Sequence, residues 1–361
     1  VYKRQTAYVA PRTRIERLLA ELTADVLGVD RVGMRDNLFV LGADSLTAAR
    51  LVSRARTELD IHFNLATLFS VDNIGDLAAA ARVSDGGRPR LQPVTERPAI
   101  IPVSPLQVRL WFLNRMNPSS GVYNISGAVR LPGGVDRAAL NAAVAEVVAR
   151  HEPLRTRFPM VGGEPVQDVV AVEDAKPTVH DIDVDGTDGR TALLAEAARG
   201  FDLLTEMPLR VSLLDEPGGA VVLVVLHHIV GDGFSLPPLI NDVFSAYTRH
   251  LAGDTTARPA PAVSYVDYTL WSHEALGSLD HPSADAKSSL DFWRAELAGM
   301  PDMLALPTDR PRPPVASGAG AYYDFPIDAE LSSAVREFAR SRSVTPFTVL
   351  HGALAIVLSR W

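Results

Sequence analysis

The chain has 361 residues, which at about 150 residues per domain predicts roughly two or three domains. Apolar residues make up 47% of it, and no stretch reaches about 18 consecutive apolar residues, so the sequence excludes wholesale disorder and a transmembrane helix. A net charge of -8 argues against nucleic acid and anionic membranes as partners, and the absence of cysteine excludes disulfides, thiolate metal sites and a cysteine nucleophile. Residues 1–20 show no secretory signal, and together these features predict a cytoplasmic protein.

The N-terminal part of the chain is predicted to be helical. Residues 1–12 are taken as a leader and residues 13–83 as a small bundle. Thr13 and Glu16 form a possible capping box, and the apolar spacing that follows predicts a helix ending at Gly28. Two further sets of apolar residues at helical spacing predict helices over residues 48–59 and 74–81.

The middle of the chain mixes strands and helices. Residues 84–98 are polar and rich in glycine and proline, which is typical of a linker. Within residues 99–300, Asp136 opens a helix, and residues 209–214 and 220–226 form a predicted hairpin. The second of these strands lacks polar alternation and is predicted to be buried on both faces, and helices are predicted over 234–251 and 285–297.

The C-terminal part begins a second lobe. Residues 301–320 are rich in proline and glycine and are predicted to connect two lobes. Residues 321–361 would then begin the next lobe, with a strand over 321–327 followed by two helices. A lobe of this size is too small to hold a core of its own, so the natural protein is expected to continue past Trp361.

Ser45 lies in the sequence Leu41-Gly42-Ala43-Asp44-Ser45-Leu46, at the start of the second predicted helix. An Asp–Ser pair at such a position is by itself most simply a helix cap. The wider pattern resembles the phosphopantetheine attachment motif of thiolation (peptidyl carrier) domains, with Ala43 where the usual motif has a second glycine. The resemblance covers Thr13–Arg82 and implies that Ser45 carries a covalent 4′-phosphopantetheine, with its phosphate at a helix N-terminus.

The pair His227–His228 directly follows the buried strand, and three interpretations are open. Both rings are structural in the first. In the second they bind a metal, which is disfavoured because adjacent strand residues point to opposite faces and no nearby cysteine or glutamate completes a ligand set. In the third, one ring is structural and the other enters a cavity as a catalytic residue, with Gly231 and Gly233 allowing a tight turn beside a substrate.

Four segments in this part of the chain match the signatures of one family in the family's order: Ser104–Leu113, Arg150–Phe158, His227–Ser235 and Tyr265–Trp271. They resemble condensation domains of non-ribosomal peptide synthetases, which have a chloramphenicol-acetyltransferase-like fold. Heterocyclisation and epimerisation variants fit less well. The expected fold is therefore multidomain: an all-α four-helix carrier bundle, then an α/β condensation domain with its first lobe complete and its second lobe incomplete.

By this resemblance His228, the second histidine of the pair, is the catalytic residue. The family role of that histidine is debated between general base and positioning, and both stay open here. His227 is implied to be structural, and no metal ion takes part.

The remaining residues of the third signature are implied to support the site. Asp232 corresponds to a structural aspartate that pairs with an arginine of the second signature, here Arg150 or Arg155. Gly233 corresponds to a glycine beside the substrate channel, where a side chain would obstruct the tethered arm.

Other conspicuous side chains are predicted to be structural. The tryptophans Trp111, Trp271 and Trp293 are predicted to pack in the core or between elements. His151 and Glu152 are predicted to belong to a structural polar network.

The resemblance implies a peptide-bond-forming acyltransferase of the kind that makes antibiotics and siderophores. The carrier would hold an aminoacyl or peptidyl thioester on Ser45, and the condensation domain would transfer it to the amine of an aminoacyl thioester on a downstream carrier. The other implied partners are an upstream adenylation domain and a phosphopantetheinyl transferase. Two alternatives stay open, namely an acyltransferase that uses a free small amine or alcohol, and a non-catalytic module that docks carriers.

Overall fold

The computed structural model describes residues 8–43, 45–63, 65–83, 91–184, 186–256, 258–278, 280–303, 306–311, 313–314, 323–342 and 344–360. The chain divides into two units. The first contains Val1–Arg90 and Met300–Trp361, and the second contains Leu91–Gly299. The predicted first lobe, residues 99–300, stays a prediction.

The first part of the chain forms four helices and one short strand pair. In chain order these are α1 (Arg14–Leu27), α2 (Ser45–Leu59), β1 (Ile61–His62), α3 (Leu65–Ser70), α4 (Ile74–Ala80) and β2 (Arg82–Val83). The two strands pair antiparallel, which the all-helical prediction did not include. Helices α1, α2 and α4 lie where the apolar spacing predicted them.

Local sequence determines where α1 begins and ends. The Thr13 side chain accepts a hydrogen bond from the Glu16 N–H and the Glu16 carboxylate accepts one from the Thr13 N–H, so the predicted capping box is formed. Gly28 ends the helix in the left-handed conformation with φ of 64°. The apolar face of α1 packs into a common core with Leu51 of α2, Leu68 of α3 and Leu77 of α4. Four helices therefore share one small hydrophobic core.

The second unit contains most of the strands. In chain order its elements are β3 (Ile101–Pro102), α5 (Pro105–Met116), β4 (Asn124–Pro132), α6 (Arg137–Arg150), a 3-10 turn (Glu152–Arg155), β5 (Thr156–Arg157), β6 (Met160–Val161), β7 (Glu164–Val169), β8 (Val179–Asp181), α7 (Gly189–Ala198), β9 (Leu209–Glu216), β10 (Gly219–His227), α8 (Leu236–Leu251), α9 (Tyr265–Leu276) and α10 (Ala284–Glu296). As predicted, Asp136 caps α6 by accepting the Ala139 N–H.

The main sheet has the strand order β4-β10-β9-β8. Strands β9 and β10 form the predicted hairpin, with Glu216 opposite Gly219, and β10 also pairs antiparallel with β4 along its whole length. The edge strand β8 runs parallel to β9. A smaller sheet joins β3, β7 and β5, and β6 also pairs with β7.

Strand β10 is buried on both faces, as its unbroken apolar run predicted. One face, with Val222, Val224 and Leu226, packs against α6 and α8. The other face, with Leu223 and Val225, packs into a second core. That second core contains Val103, Trp111, Phe158, Phe201 and Leu203. Because β10 lies between two cores, the chain that leaves its C-terminal end is held on both sides.

The last part of the predicted linker packs against the second unit. The Val94 N–H donates to the Asp267 carboxylate, and the Arg97 guanidinium donates to Glu152 at 3.0 Å and to the Ser264 hydroxyl at 3.0 Å. Burial raises the pKa of Asp267, but the N–H groups of Ser264 and Val94 and the charge of Arg97 outweigh it and lower this pKa below its ordinary value. Residues 91–98 are therefore tied to the lobe, and Glu152 takes part in the predicted polar network.

Replacing Arg97 with alanine is expected to release residues 91–98 from the lobe. Hydrogen bonds to charged groups contribute about 1.5 kcal/mol or more, so exchange of the Val94 amide should accelerate about tenfold. Hydrogen–deuterium exchange measures this directly. Arg115→Ala, which removes an exposed arginine of α5, is the matched control and should leave the Val94 amide unchanged.

Two structural predictions are wrong, one in the C-terminal part and one in the second unit. The strand predicted over residues 321–327 does not form over its described part, because residues 323–327 pair with no described strand, and residues 321 and 322 lie outside the described residues. Trp293 is exposed rather than packed, because none of the described residues of α10 is buried. The two predicted helices do form, as α11 (Ala329–Ser341) and α12 (Pro346–Ser359), and they contact each other.

In the described part of the chain, no single helix has the length and apolar composition needed to cross a membrane. Helices α11 and α12 form a bent pair that together has this length and apolar composition. The core helices of proteins can have the same length and composition.

Candidate functional site

The end of β10 carries the two histidines in different environments. His227 is the last residue of the strand and is 1% exposed, with its ring packed edge-on against Phe201. Its Nδ1 accepts the N–H of Ile229 at 3.1 Å. Burial, assisted by the nearby His228, lowers the pKa of His227 to about 4. The first ring is therefore a neutral, buried element of the turn.

The neutral burial of His227 predicts a pH dependence of stability. Its pKa is about 4 in the folded chain against an ordinary value of 6.5, so below pH 6.5 the unfolded chain binds a proton that the folded chain refuses. The stabilisation is complete above pH 6.5 and is lost as the pH falls towards 4. This residue alone should make the second unit about 2 kcal/mol less stable at pH 5 than at pH 8.

Urea unfolding followed by tryptophan fluorescence at the two pH values measures this difference. Trp111, Trp271 and Trp293 all lie in the second unit and report mainly on it. A His227→Gln variant has no titrating ring and should lose this part of the pH dependence. An unchanged pH dependence in that variant would show that His227 is not the responsible group.

His228 is exposed and lines a cavity of about 520 Å³. Its backbone N–H donates to the Tyr123 carbonyl at 2.8 Å, which continues the pairing between β10 and β4 by one residue. The chain turns immediately afterwards, with the Val230 N–H donating to the His227 carbonyl. One ring of the pair is thus buried and the other faces a cavity, which is the geometry of the third interpretation.

The cavity brings together residues from three of the four signature segments. They are Leu106, Gln107, Arg109 and Leu110 of α5, His228–Asp232 and Ser235 of the turn, and Tyr265 and Tyr268 of α9, together with Tyr123. Sequence reasoning had not singled out Gln107, Tyr123, Tyr265 or Tyr268. The signal for three of them was present, since they belong to the first and fourth signatures, whereas Tyr123 precedes β4 and carries no motif.

The predicted pairing of Asp232 with an arginine is wrong for the described residues. The Asp232 carboxylate instead accepts the N–H groups of Phe234 and Ser235 and the Ser235 hydroxyl. The Ser235 hydroxyl oxygen in turn accepts a hydrogen bond from the Asp232 N–H at 3.0 Å. These bonds span only two or three residues, so the Asp232 carboxylate closes the turn that leads into α8.

The two arginines have other partners. Arg150 forms an ion pair with Asp242 of α8, to which His151 also bonds at 2.9 Å. Arg155 donates to the Val170 carbonyl and lies 3.9 Å from Glu152. These pairings follow from the path of the second signature. It begins at the end of α6, which packs beside α8, and continues into β5, which pairs with β7. The predicted structural role of His151 is confirmed by its bond to Asp242.

The two glycines of the turn are not required by backbone conformation, since neither has a positive φ. A Cβ on Gly231 would lie 3.2 Å from the Cβ of Ser235, a tight contact. A Cβ on Gly233 would meet no described atom within 4 Å. The backbone at these two positions therefore does not need glycine in order to make the turn. The implied role of Gly233, to leave room for a tethered arm, stays a prediction.

Ser45 is the first residue of α2, as predicted, while its side chain and Asp44 lie outside the described residues. Gly42 has φ of 107°, a conformation that favours glycine, whereas Ala43 is 9% exposed and donates its N–H to the Leu38 carbonyl. The missing second glycine of the motif is thus accommodated. The first turn of α2 carries no acidic residue, so the positive end of the helix dipole there suits the phosphate of a phosphopantetheine on Ser45.

No group of three or more metal-binding side chains lies together among the residues that the structure covers. The expectation that no metal takes part stays a prediction.

Both parts of the chain match models of known protein families. Residues 98–361 match the model of the condensation domain, and residues 17–81 match the model of the phosphopantetheine attachment site. The chain belongs to the condensation-domain family. In this condensation-domain protein, residues 17–81, which include Ser45, form a phosphopantetheine attachment domain, and the predicted order of carrier before condensation domain is confirmed.

Curated relatives share both domains with this condensation-domain protein. It is 42% identical over 353 residues to a probable non-canonical nonribosomal peptide synthetase of Salinispora arenicola, and 41% identical over 353 residues to a dimodular nonribosomal peptide synthase of Bacillus subtilis. Each alignment covers 97% of this chain but only 4% and 15% of the respective relative. The chain thus spans a small part of the length of these synthetases.

Solved structures confirm the predicted fold class. The X-domain of teicoplanin biosynthesis, solved in complex with OxyB, superposes with a TM-score of 0.68 and 31% identity, covering 77% of this chain and 60% of that one. The first condensation domain of the CDA synthetase superposes with a TM-score of 0.55 and 18% identity, covering 73% and 63%, and shows the fold alone.

Proposed function

We propose that this chain forms an amide bond in non-ribosomal peptide synthesis. The acyl group leaves the phosphopantetheine thiol on Ser45 and passes to the amine of an aminoacyl thioester on a downstream carrier. The amine nitrogen attacks the thioester carbonyl, the C–N bond forms, the C–S bond breaks, and the proton of the amine goes to the departing thiolate. The observation that carries the proposal is the single cavity at which His228 meets residues of the first and fourth signatures.

The chemistry asks little of a catalytic base. An α-amine has a pKa of about 7.7 to 8, so about a tenth of it is neutral at pH 7. A general base contributes about 10²- to 10⁴-fold, and holding two tethered reactants in line contributes as much or more. We therefore assign to His228 the task of orienting the amine and relaying its proton as the tetrahedral species forms.

The environment of His228 suits this task. Because the neighbouring His227 is neutral above about pH 4, it places no positive charge beside an incoming amine. The backbone N–H of His228 is bonded to the Tyr123 carbonyl, and the exposed side chain of His228 lines the cavity.

The proposal requires three partners and a compartment. An upstream adenylation domain would load Ser45, a phosphopantetheinyl transferase would first attach the arm, and a downstream carrier would present the acceptor amine. We place the reaction in the cytoplasm, because an adenylation domain consumes ATP. The carrier precedes the condensation domain in the chain, so it should serve as the donor carrier.

An amide-formation assay tests the proposal. The holo-protein is loaded with an aminoacyl group on Ser45, mixed with an acceptor aminoacyl thioester on a separate carrier, and analysed by mass spectrometry. We expect the dipeptidyl product on the acceptor carrier. Product formed in preference on a competing soluble amine or alcohol would instead show an acyltransferase for free small molecules.

A second candidate function rests on the similarity to the teicoplanin X-domain, which forms a complex with OxyB. By that analogy the condensation domain would be a docking module for another protein. Failure to form amide, together with stable binding of a partner enzyme, would favour this alternative.

A further inference from the structure

The backbone that carries His228 is bonded on every side. The His228 N–H bonds to the Tyr123 carbonyl at 2.8 Å, and the Ile229 N–H bonds to Nδ1 of His227 at 3.1 Å. The Ile229 carbonyl accepts a hydrogen bond from Nε2 of Gln107 at 3.2 Å. Two of these partners, Tyr123 and His227, lie at the ends of strands of the main sheet, whereas Gln107 comes from α5.

Gln107 lies 2% exposed in the first turn of α5 and has two separable tasks. Its Oε1 accepts the Ser104 N–H at 2.9 Å, which completes the capping box of α5. Its Nε2 donates to the Ile229 carbonyl, one residue beyond His228. The first task belongs to the helix, and the second joins the helix to the turn that carries His228.

We propose that Gln107 is a positioning residue for His228, because its amide holds the Ile229 carbonyl and thereby fixes the direction in which the His228 ring enters the cavity. This inference rests on the proposed function of His228. The physical reason is that Ile229 is buried, so its carbonyl must be paired, and without Gln107 the peptide would rotate to find another donor. A shift of about 1 Å in a catalytic group can lower a rate about 100-fold.

Gln107→Glu separates the two tasks. The glutamate keeps the oxygen that accepts the Ser104 N–H, but as a carboxylate it cannot donate to the Ile229 carbonyl. We expect kcat for amide formation to fall about 10- to 100-fold with little change in KM for the acceptor thioester. Equal losses in kcat and in the affinity for the acceptor would contradict a positioning role.

The same variant gives a pH signature that a structural role would not produce. A glutamic acid that takes up a proton can again donate to the Ile229 carbonyl, and a buried carboxyl facing a carbonyl has a raised pKa. The ratio of variant to wild-type activity should therefore rise as the pH is lowered from 8 to 6. A ratio that stays constant or falls would overturn the inference.

Two further variants complete the design. Gln107→Met has a side chain of similar size without charge, and it loses both side-chain bonds of Gln107. It should show the loss in kcat without recovery at low pH. This variant keeps the test valid if Gln107→Glu folds poorly. Ser104→Ala removes the hydroxyl that accepts the backbone N–H of Gln107 at 3.2 Å and that bonds the Tyr265 hydroxyl at 2.9 Å, but it leaves the bond from Gln107 to Ile229. Its kcat should therefore fall less than that of Gln107→Glu, with no recovery at low pH, and a loss equal to that of Gln107→Glu would reduce Gln107 to a helix cap.

Amide exchange distinguishes a failure of this inference from a failure of the proposed function. In Gln107→Glu the amides of Ile229 and Val230 should exchange at least tenfold faster than in the wild type, whether or not the protein is active. Faster exchange with His228→Ala fully active would refute the role of His228 and with it the positioning role. Unchanged exchange and unchanged kcat would refute Gln107 alone.

Discussion

Replacing Ser45 with alanine is expected to abolish attachment of phosphopantetheine. In our proposal the arm is joined to the Ser45 hydroxyl, and alanine has no atom to replace it, so the loss should be complete rather than partial. Intact mass after incubation with a phosphopantetheinyl transferase and coenzyme A measures the attachment. Amide formation that starts from the carrier should disappear together with it.

Ser53→Ala is the matched control, because Ser53 is an exposed serine of the same helix. It should gain the mass of the arm as the wild type does. If the arm were attached to Ser45→Ala, another residue of the attachment domain would be the acceptor, and the register of the motif would be wrong.

Replacing His228 with alanine is expected to lower the rate of amide formation about 10²- to 10⁴-fold while loading of Ser45 stays normal. The variant removes the ring that faces the cavity and leaves the bond between its backbone N–H and the Tyr123 carbonyl in place. Single-turnover transfer from loaded carrier to acceptor thioester isolates this step. His281→Ala, at an exposed histidine of the same unit, should transfer at the wild-type rate.

A stronger nucleophile distinguishes the two proposed tasks of His228, which are orienting the amine and relaying its proton. Hydroxylamine is neutral and strongly nucleophilic at pH 7, so it needs no base. If His228 mainly relays a proton, hydroxylamine should restore much of the rate in His228→Ala. Continued inactivity with hydroxylamine would contradict the proton relay and leave orientation as the role of this residue.

The parts of the fold that were predicted correctly are those determined by neighbours in sequence. The capping box at Thr13, the left-handed Gly28 and the Asp136 cap involve residues within four positions of a helix end, where the chemistry of one side chain decides. The burial of β10 on both faces followed from seven consecutive apolar residues, 220–226.

The parts that were missed or wrong depend on residues far apart in the chain. Arg150 pairs with Asp242 rather than with Asp232, because α6 and α8 pack side by side. The bond from Arg97 to Ser264 joins residues 167 positions apart. Such pairings are settled by how helices and sheets pack, and nothing in the spacing of the residues encodes them.

The sequence alone determined the order of the two domains, the position of Ser45 at a helix start and the presence of His227–His228 at the end of a buried strand, because helix caps, apolar runs and short motifs are local. Only the tertiary structure decided that His227 is buried and neutral while His228 faces a cavity, and that Gln107 supports the turn between them and α8. The physical reason is that burial and long-range hydrogen bonds exist only after α5, α9 and the main sheet have come together.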